Sequence, residues 1–433
     1  MNYEECLVYL DQIQNAGIKF GLENVRTILA SFGDPHRCYP SLHVAGTNGK
    51  GSVCAMLSRI LMVHGCRVGL FTSPHLVHVR ERIRIDHEPL GKESFSLHLT
   101  LLRDRIAELM AAKKLLSPPT YFELMSCLAF LSFKTEMVDT AVLEVGMGGR
   151  YDATNVVRPL ISAITTISME HQEYLGDTPA RIASEKAGII KPGVPVVCGV
   201  EEEEAYETIR KRAEELEAPF IGVFANGRRL FQRKSGNAYC FSYRTDGGEY
   251  VFTPSLAGAH QGRNAAVAIA VSEELNKMGR KLEKTCIIRA LETTPWPGRL
   301  EIVSERPLVL VDGAHNEEGA RALRAYIQDC LSQAPVLVFA AMRDKRIEAM
   351  ADLLFPFGKK VVITRFPYHK AAAPEDVADL ALKYADRILV EPDLAKAVTA
   401  ALEEATPEGV VLATGSLFLV GEVKKIFSEG RTD

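Results

Sequence analysis

Apolar residues along this chain fall into two recurring arrangements. Between residues 3 and 15, and again between 22 and 30, they return at helical spacing on either side of the turn-like stretch AGIKFG. From SLHVAG (41–46) onward, short runs that are apolar along their whole length alternate with amphipathic stretches. The strands predicted in the first half are 41–46, 67–73, 140–146, 161–168 and 194–200. The helices between and around them are 52–65, 94–116, 120–134, 179–188 and 202–217. Strands without a polar face, separated by helices, are what a parallel sheet covered on both sides requires. VHVRERIRIDHEPLG reads only as a charged segment between two elements.

The pattern changes at 221–257, where short alternating runs and glycine turns predict antiparallel hairpins attached to the edge of the first domain. Helices follow at 262–277 and 283–291. TTPWPGR (293–299) then places two prolines and a glycine between a helical and a strand pattern, which marks a domain boundary. Beyond it run PLVLVDG, PVLVFAA, KVVITRF, DRILVE and GVVLATG, each followed by a helix. The expected fold class is therefore α/β: a large N-terminal domain, residues 1–295, built on a parallel sheet, which the glycine motif and resemblance below make a P-loop-like mononucleotide-binding domain, and a smaller α/β domain, residues 296–433.

Length agrees, because 433 residues exceed what one core usually supports. Lys+Arg and Asp+Glu number 51 and 55, a net charge of -4 that lacks the basic excess of nucleic-acid or membrane-surface proteins. The nine cysteines form no CxxC pair, as expected of free thiols in a reducing cytoplasm. MNYEECLVYLDQI is no signal peptide, and no apolar stretch approaches the ~20 residues of a membrane span.

Chemistry concentrates at strand ends. HVAGTNGKGSV (43–53) runs from a strand through Gly46, Thr47, Asn48, Gly49, Lys50, Gly51 and Ser52 into a helix. Glycines let successive backbone N–H groups converge on phosphate oxygens, and the helix start adds unpaired N–H groups. Lys50 would neutralise terminal phosphates, and Ser52 offers a hydroxyl to phosphate or Mg²⁺. Gly51 departs from the general motif, in which serine or threonine directly follows the lysine, and a structural glycine turn is the competing reading.

LEVGMGGRYDATN puts Glu144 at the exit of a buried strand, where it needs a partner, either a hard cation or an arginine such as Arg150. His171, after the strand 161–168, suits either catalysis or helix capping. Lys186 reads by composition as a charge on an exposed turn. In the second half, Asp312 and His315 fall at a strand end with Asn316 placed to cap the next helix, and Gly415 and Ser416 repeat that design.

The order and spacing of HVAGTNGKGSV, GLFTSPHLVHVRERI, LEVGMGGRYDATN, TTISMEHQEYLGDT, IASEKAGIIK, GAHQGRNAAVA, WPGRLE and DGAHN resemble the folylpolyglutamate synthase and dihydrofolate synthase family, a branch of the Mur ligase superfamily. The resemblance implies a Mur ligase-like fold and an ATP-dependent ligase that joins L-glutamate to a folate γ-carboxylate, and to dihydropteroate as well, through an acyl phosphate. By the same carry-over, residues 46–52 hold the phosphates, while Ser52, Ser73, Glu144 and His171 surround magnesium. Lys186 matches a lysine modified to a carbamate, which would make it a further oxygen ligand of the metal. Gln261, Asn264, Arg299 and Asp312 match nucleotide contacts, with Arg299 reaching the phosphates, and His315 and Ser416 match positions facing the incoming glutamate. Lys50, His171, Lys186 and Arg299 form the implied catalytic set. A monomer acting on small molecules is expected. Glu170, where the family commonly has aspartate, receives no metal role. A muramoyl-peptide ligase and a non-catalytic nucleotide-binding protein are the competing readings.

Overall fold

The computed structural model covers the whole chain and describes residues 1–14, 21–170, 172–236 and 238–429. The first half contains α1 (Tyr3–Gln14), α2 (Glu23–Ser31), β1 (Ser41–Ala45), α3 (Lys50–Val63), β2 (Val68–Phe71), β3 (Ile83–Ile85), β4 (Glu88–Pro89), α4 (Lys92–Ala111), α5 (Tyr121–Thr135), β5 (Thr140–Glu144), β6 (Ile161–Ile164), α6 (Gln172–Leu175), α7 (Pro179–Lys186), β7 (Val196–Cys198), α8 (Glu203–Glu215) and β8 (Phe220–Gly222). β9 (Arg229–Ser235), β10 (Ala238–Thr245), β11 (Gly248–Phe252), α9 (His260–Lys277) and α10 (Lys284–Glu292) complete it. The second half runs through β12 (Glu301–Glu305), β13 (Leu308–Asp312), α11 (Glu317–Cys330), β14 (Val336–Phe339), α12 (Ile347–Leu354), β15 (Lys360–Ile363), α13 (Pro374–Leu380), β16 (Ile388–Val390), α14 (Leu394–Ala405), β17 (Val410–Thr414) and α15 (Leu417–Glu429).

The first sheet has the order β4-β3-β2-β5-β1-β6-β7-β8. Its strands from β2 to β8 pair in parallel, and β1, β2, β5, β6 and β7 are buried along their whole length. β1 lies between β5 and β6, so the carboxyl ends of three adjacent strands open on one crevice, the usual ligand position in such a sheet. Two helical layers cover it. One core joins α3 and α9 to the sheet, and another gathers α1, α2, α4 and α5 on the opposite face.

The segment read as merely charged contains the antiparallel pair β3 and β4, which extends the first sheet beyond β2. β8, placed among the hairpins from sequence, instead closes the parallel sheet beside β7. The hairpins themselves form a separate three-stranded sheet, β11-β10-β9. They are not bonded to the large sheet's edge. Tyr239, Phe241, Tyr243 and Phe252 pack this small sheet into the core that includes α9, and Phe241 occupies the space where a Cβ on Gly262 would stand.

The second sheet has the order β12-β13-β17-β14-β15-β16. Five parallel strands match the predicted alternation, and β12 adds an antiparallel edge that the pattern does not announce. Its half-exposed alternation, without a continuous apolar run, is the reason. All nine cysteines are free, and five of them are buried. No helix among the described residues is long and apolar enough to cross a membrane.

Candidate active site

The loop from Gly46 to Gly49 leaves β1 and enters α3. Gly46 adopts φ +146, and a Cβ there would collide with Thr165 Oγ1. Gly49, the residue before α3, adopts φ +83 and packs against Asn264 Oδ1. Both positions therefore require glycine for conformation and for close approach. The loop is tied to the end of β6: Thr47 N–H donates to the Thr166 carbonyl at 2.8 Å, Asn48 N–H to Thr166 Oγ1 at 3.0 Å, and Thr165 Oγ1 to the Asn48 carbonyl at 2.6 Å. Lys50 Nζ folds over the loop and donates to the carbonyls of Gly46 (2.9 Å) and Thr47 (3.0 Å). Glycine-dependent backbone running into a helix start is what a phosphate-binding loop requires.

Glu144 ends β5 beside this loop and is 5% exposed. Burial pushes its carboxyl above the usual range, opposed by Lys50, by the Ser73 N–H that donates to it at 3.0 Å, and by Arg299 and Arg82. Arg150, the alternative partner, pairs instead with Glu185 at 3.2 Å. Ser52, Ser73 and Glu144 line one cleft with residues 47–51. Their hard oxygens suit magnesium, which takes one or two carboxylates together with phosphate oxygens. No group of three or more His, Cys, Asp or Glu side chains placed to hold a metal occurs among the described residues. His171 lies outside the described residues.

Lys186 corrects the reading from composition. It is 4% exposed, and its Nζ donates to the Gly46 carbonyl at 2.8 Å from beneath the loop. Burial lowers it to about 7, assisted by the nearby charge of Lys50. An amine in that range is partly unprotonated near neutrality, and the neutral form is the reactive form of lysine.

The second half supplies the opposite wall. Arg299, Asp312 and His315 line the same cleft, as do Gln261 and Asn264 from the start of α9. Asn264 Nδ2 donates to Gln261 Oε1 at 2.9 Å. Asp312 accepts the N–H groups of Leu300 (3.0 Å) and Ala314 (2.9 Å), bracing the loop that carries His315. Ser416 is buried and accepts Phe418 N–H at the start of α15. It stands behind the cleft wall, where Leu417 takes the lining position.

Contacts between the halves give partners to Glu170 and Asn48 and bring in Lys345 and Glu318, which the motifs did not reveal. Glu170, beyond β6, faces His315 Nε2 at 3.3 Å and Lys345 Nζ at 3.2 Å. Burial alone would raise its carboxyl, but His315, Lys345 and Lys50 together hold it well below the usual range. Asn48 Nδ2 donates to Glu318 at 2.6 Å, and Asn316 Nδ2 donates to Asn48 Oδ1 at 3.0 Å. Lys345 lies in MRDK, a string whose composition resembles any exposed turn, so only the fold reveals it.

The Mur ligase middle domain matches residues 44–272, and the glutamate ligase domain of Mur ligases matches residues 298–417. The chain is 34% identical to a dihydrofolate synthase/folylpolyglutamate synthase of Bacillus subtilis, over 98% of each chain. It superposes on a Mycobacterium tuberculosis folylpolyglutamate synthase complexed with ADP at TM-score 0.91, with 28% identity over 98% of this chain and 99% of that one. On Escherichia coli FolC in complex with DHPP and ADP the TM-score is 0.87, with 28% identity over 100% and 99%. With both Mur ligase domains matched in chain order and a relative 34% identical over 98% of each chain, this chain belongs to the folylpolyglutamate synthase and dihydrofolate synthase family of Mur ligases.

Proposed function

We propose that the chain ligates L-glutamate to the γ-carboxylate of a folate, and also to dihydropteroate, using ATP and releasing ADP and phosphate. The observation that carries this reading is the single cleft in which the phosphate loop and Glu144 face Arg299 and His315. A substrate carboxylate oxygen attacks the γ-phosphorus and ADP leaves. The amine of glutamate then attacks the acyl carbon, loses a proton, and phosphate departs. Lys50 and the loop N–H groups stabilise charge on the transferred phosphoryl group, and Arg299 adds a cation from the opposite wall.

Magnesium, when bound, would act as a Lewis acid on the phosphate oxygens, held by Ser52, Ser73, Glu144 and His171. Lys186 suits the family's carbamate because burial lowers it enough to supply neutral amine near pH 7, which can add to carbon dioxide with loss of a proton and give an anionic oxygen ligand. Gln261, Asn264 and Asp312 serve the nucleotide, and His315 the glutamate, with Ser416 shaping the wall behind it. The lobes are taken as residues 1–295 and 296–433, and the protein as a cytoplasmic monomer.

Purified protein with ATP, Mg²⁺ and glutamate should release phosphate and form an amide with both a reduced folate and dihydropteroate. Amide formation with only one acceptor removes the dual assignment. Phosphate release with neither overturns the reading.

A further inference from the structure

Gly51 separates Lys50 from Ser52, and nothing in its backbone calls for glycine. It is the second residue of α3 and is absent from the positive-φ positions. Its φ leaves room for any residue, so the space beside it decides what a side chain would meet. A Cβ built there would stand 3.1 Å from Trp296 Nε1, 3.2 Å from Cζ2 and 3.4 Å from Cε2, so all three nearest atoms belong to one indole. That indole comes from the linker between the lobes and is the only tryptophan in the chain. The Arg84 guanidinium lies 5.8 Å from its ring centroid.

The linker beyond Trp296 is pinned at closely spaced points. Gly298 packs against Leu76 and Val420, donates its N–H to Glu301 at 2.7 Å, and accepts Gly313 N–H at 3.0 Å. Leu300, at φ 47, donates to Asp312 at 3.0 Å. Arg299 projects into the cleft between these anchors. Gly298 and Leu300 tie the linker to the small lobe, Gly298 also meets Leu76 of the large lobe, and the indole on Gly51 brings the linker against the phosphate loop.

We propose that Trp296 is a positioning residue: its indole, seated on the bare Cα of Gly51, registers the linker against the phosphate loop so that Arg299 meets the reacting phosphate. Gly51 is interposed between Lys50 and Ser52 to provide that seat. The proposal rests on the ligase reading above for what Arg299 does, and on geometry alone for the seat.

The test combines Gly51→Ala, Trp296→Phe and the double variant with the fluorescence of the sole tryptophan. Adding AMPPCP with Mg²⁺ to the unaltered protein should change the Trp296 emission, and Gly51→Ala should shift the emission even without nucleotide. Each single variant should lower kcat for amide formation by ~10-fold, within the ~100-fold range of a 1 Å misplacement, with its thermal melting point near that of the unaltered protein. The smaller phenyl ring makes room for the added methyl, so the double variant should be more active than Gly51→Ala alone. Effects that simply multiply, or an emission unmoved by both AMPPCP and Gly51→Ala, overturn the seat. Emission that responds in a protein forming no amide with either acceptor would overturn the ligase reading and leave the seat standing.

Discussion

At the scale of single residues, Glu144 carries a conflict between folding and chemistry. A carboxylate that is 5% exposed, with the Ser73 N–H as its only hydrogen-bond donor among the described residues, pays desolvation without full compensation. Glu144→Gln should therefore leave the melting temperature unchanged or raise it, while turnover falls by more than the ~10–100-fold typical of groups that merely orient a ligand. Parallel thermal melts and phosphate-release assays check the pair of outcomes. Lys186 gives a second residue-scale prediction: with ¹³C-labelled bicarbonate, the protein should show a carbamate carbon resonance that Lys186→Arg lacks. Glu144 was legible from sequence because a carboxylate closing an apolar strand demands a partner. Burial of Lys186 was not, since it arises when α7 is folded beneath Gly46, 140 residues away, and local spacing carries no trace of that.

At the scale of elements, helix starts do double duty. Asn316 accepts the Gly319 N–H at 2.9 Å as the cap of α11 and reaches Asn48 across the cleft. Asn316→Ala should cost about 1 kcal/mol, the usual worth of such a cap, measured by urea unfolding followed by circular dichroism. Asn316→Ser keeps a capping oxygen but is too short for Asn48, so it should restore most of that stability while still weakening the contact between lobes. The parallel strands were legible as continuous apolar runs, whereas β3, β4 and β12 were hidden. Each is antiparallel and lies at or next to a sheet edge, where one side meets polar surroundings and charged residues interrupt the pattern.

Across the whole molecule, buried histidines shape the response to acid. Burial lowers His36 and His98, brings His87 to about 4, and takes the fully enclosed His43 to about 3. Between those values and the ordinary 6.5, the unfolded chain binds more protons than the folded one. Stability therefore rises with pH through this window and is lost as pH falls below 6.5. His43→Gln should flatten that slope by up to ~1.4 kcal/mol per pH unit, read from urea midpoints between pH 6 and 4. The two-lobed plan was legible from the proline-rich linker and the repeated strand-helix alternation. How the lobes meet was not, because Glu170, His315 and Lys345 come from separate stretches and pair only once both sheets exist. That meeting has a consequence for fidelity. An activated acid exposed to solvent is spent on water, and the pairing of Glu170 with Lys345 across the halves is expected to limit that loss. Loosening it with Lys345→Met should make the enzyme wasteful, and the leak would appear as more than one phosphate lost for every amide made.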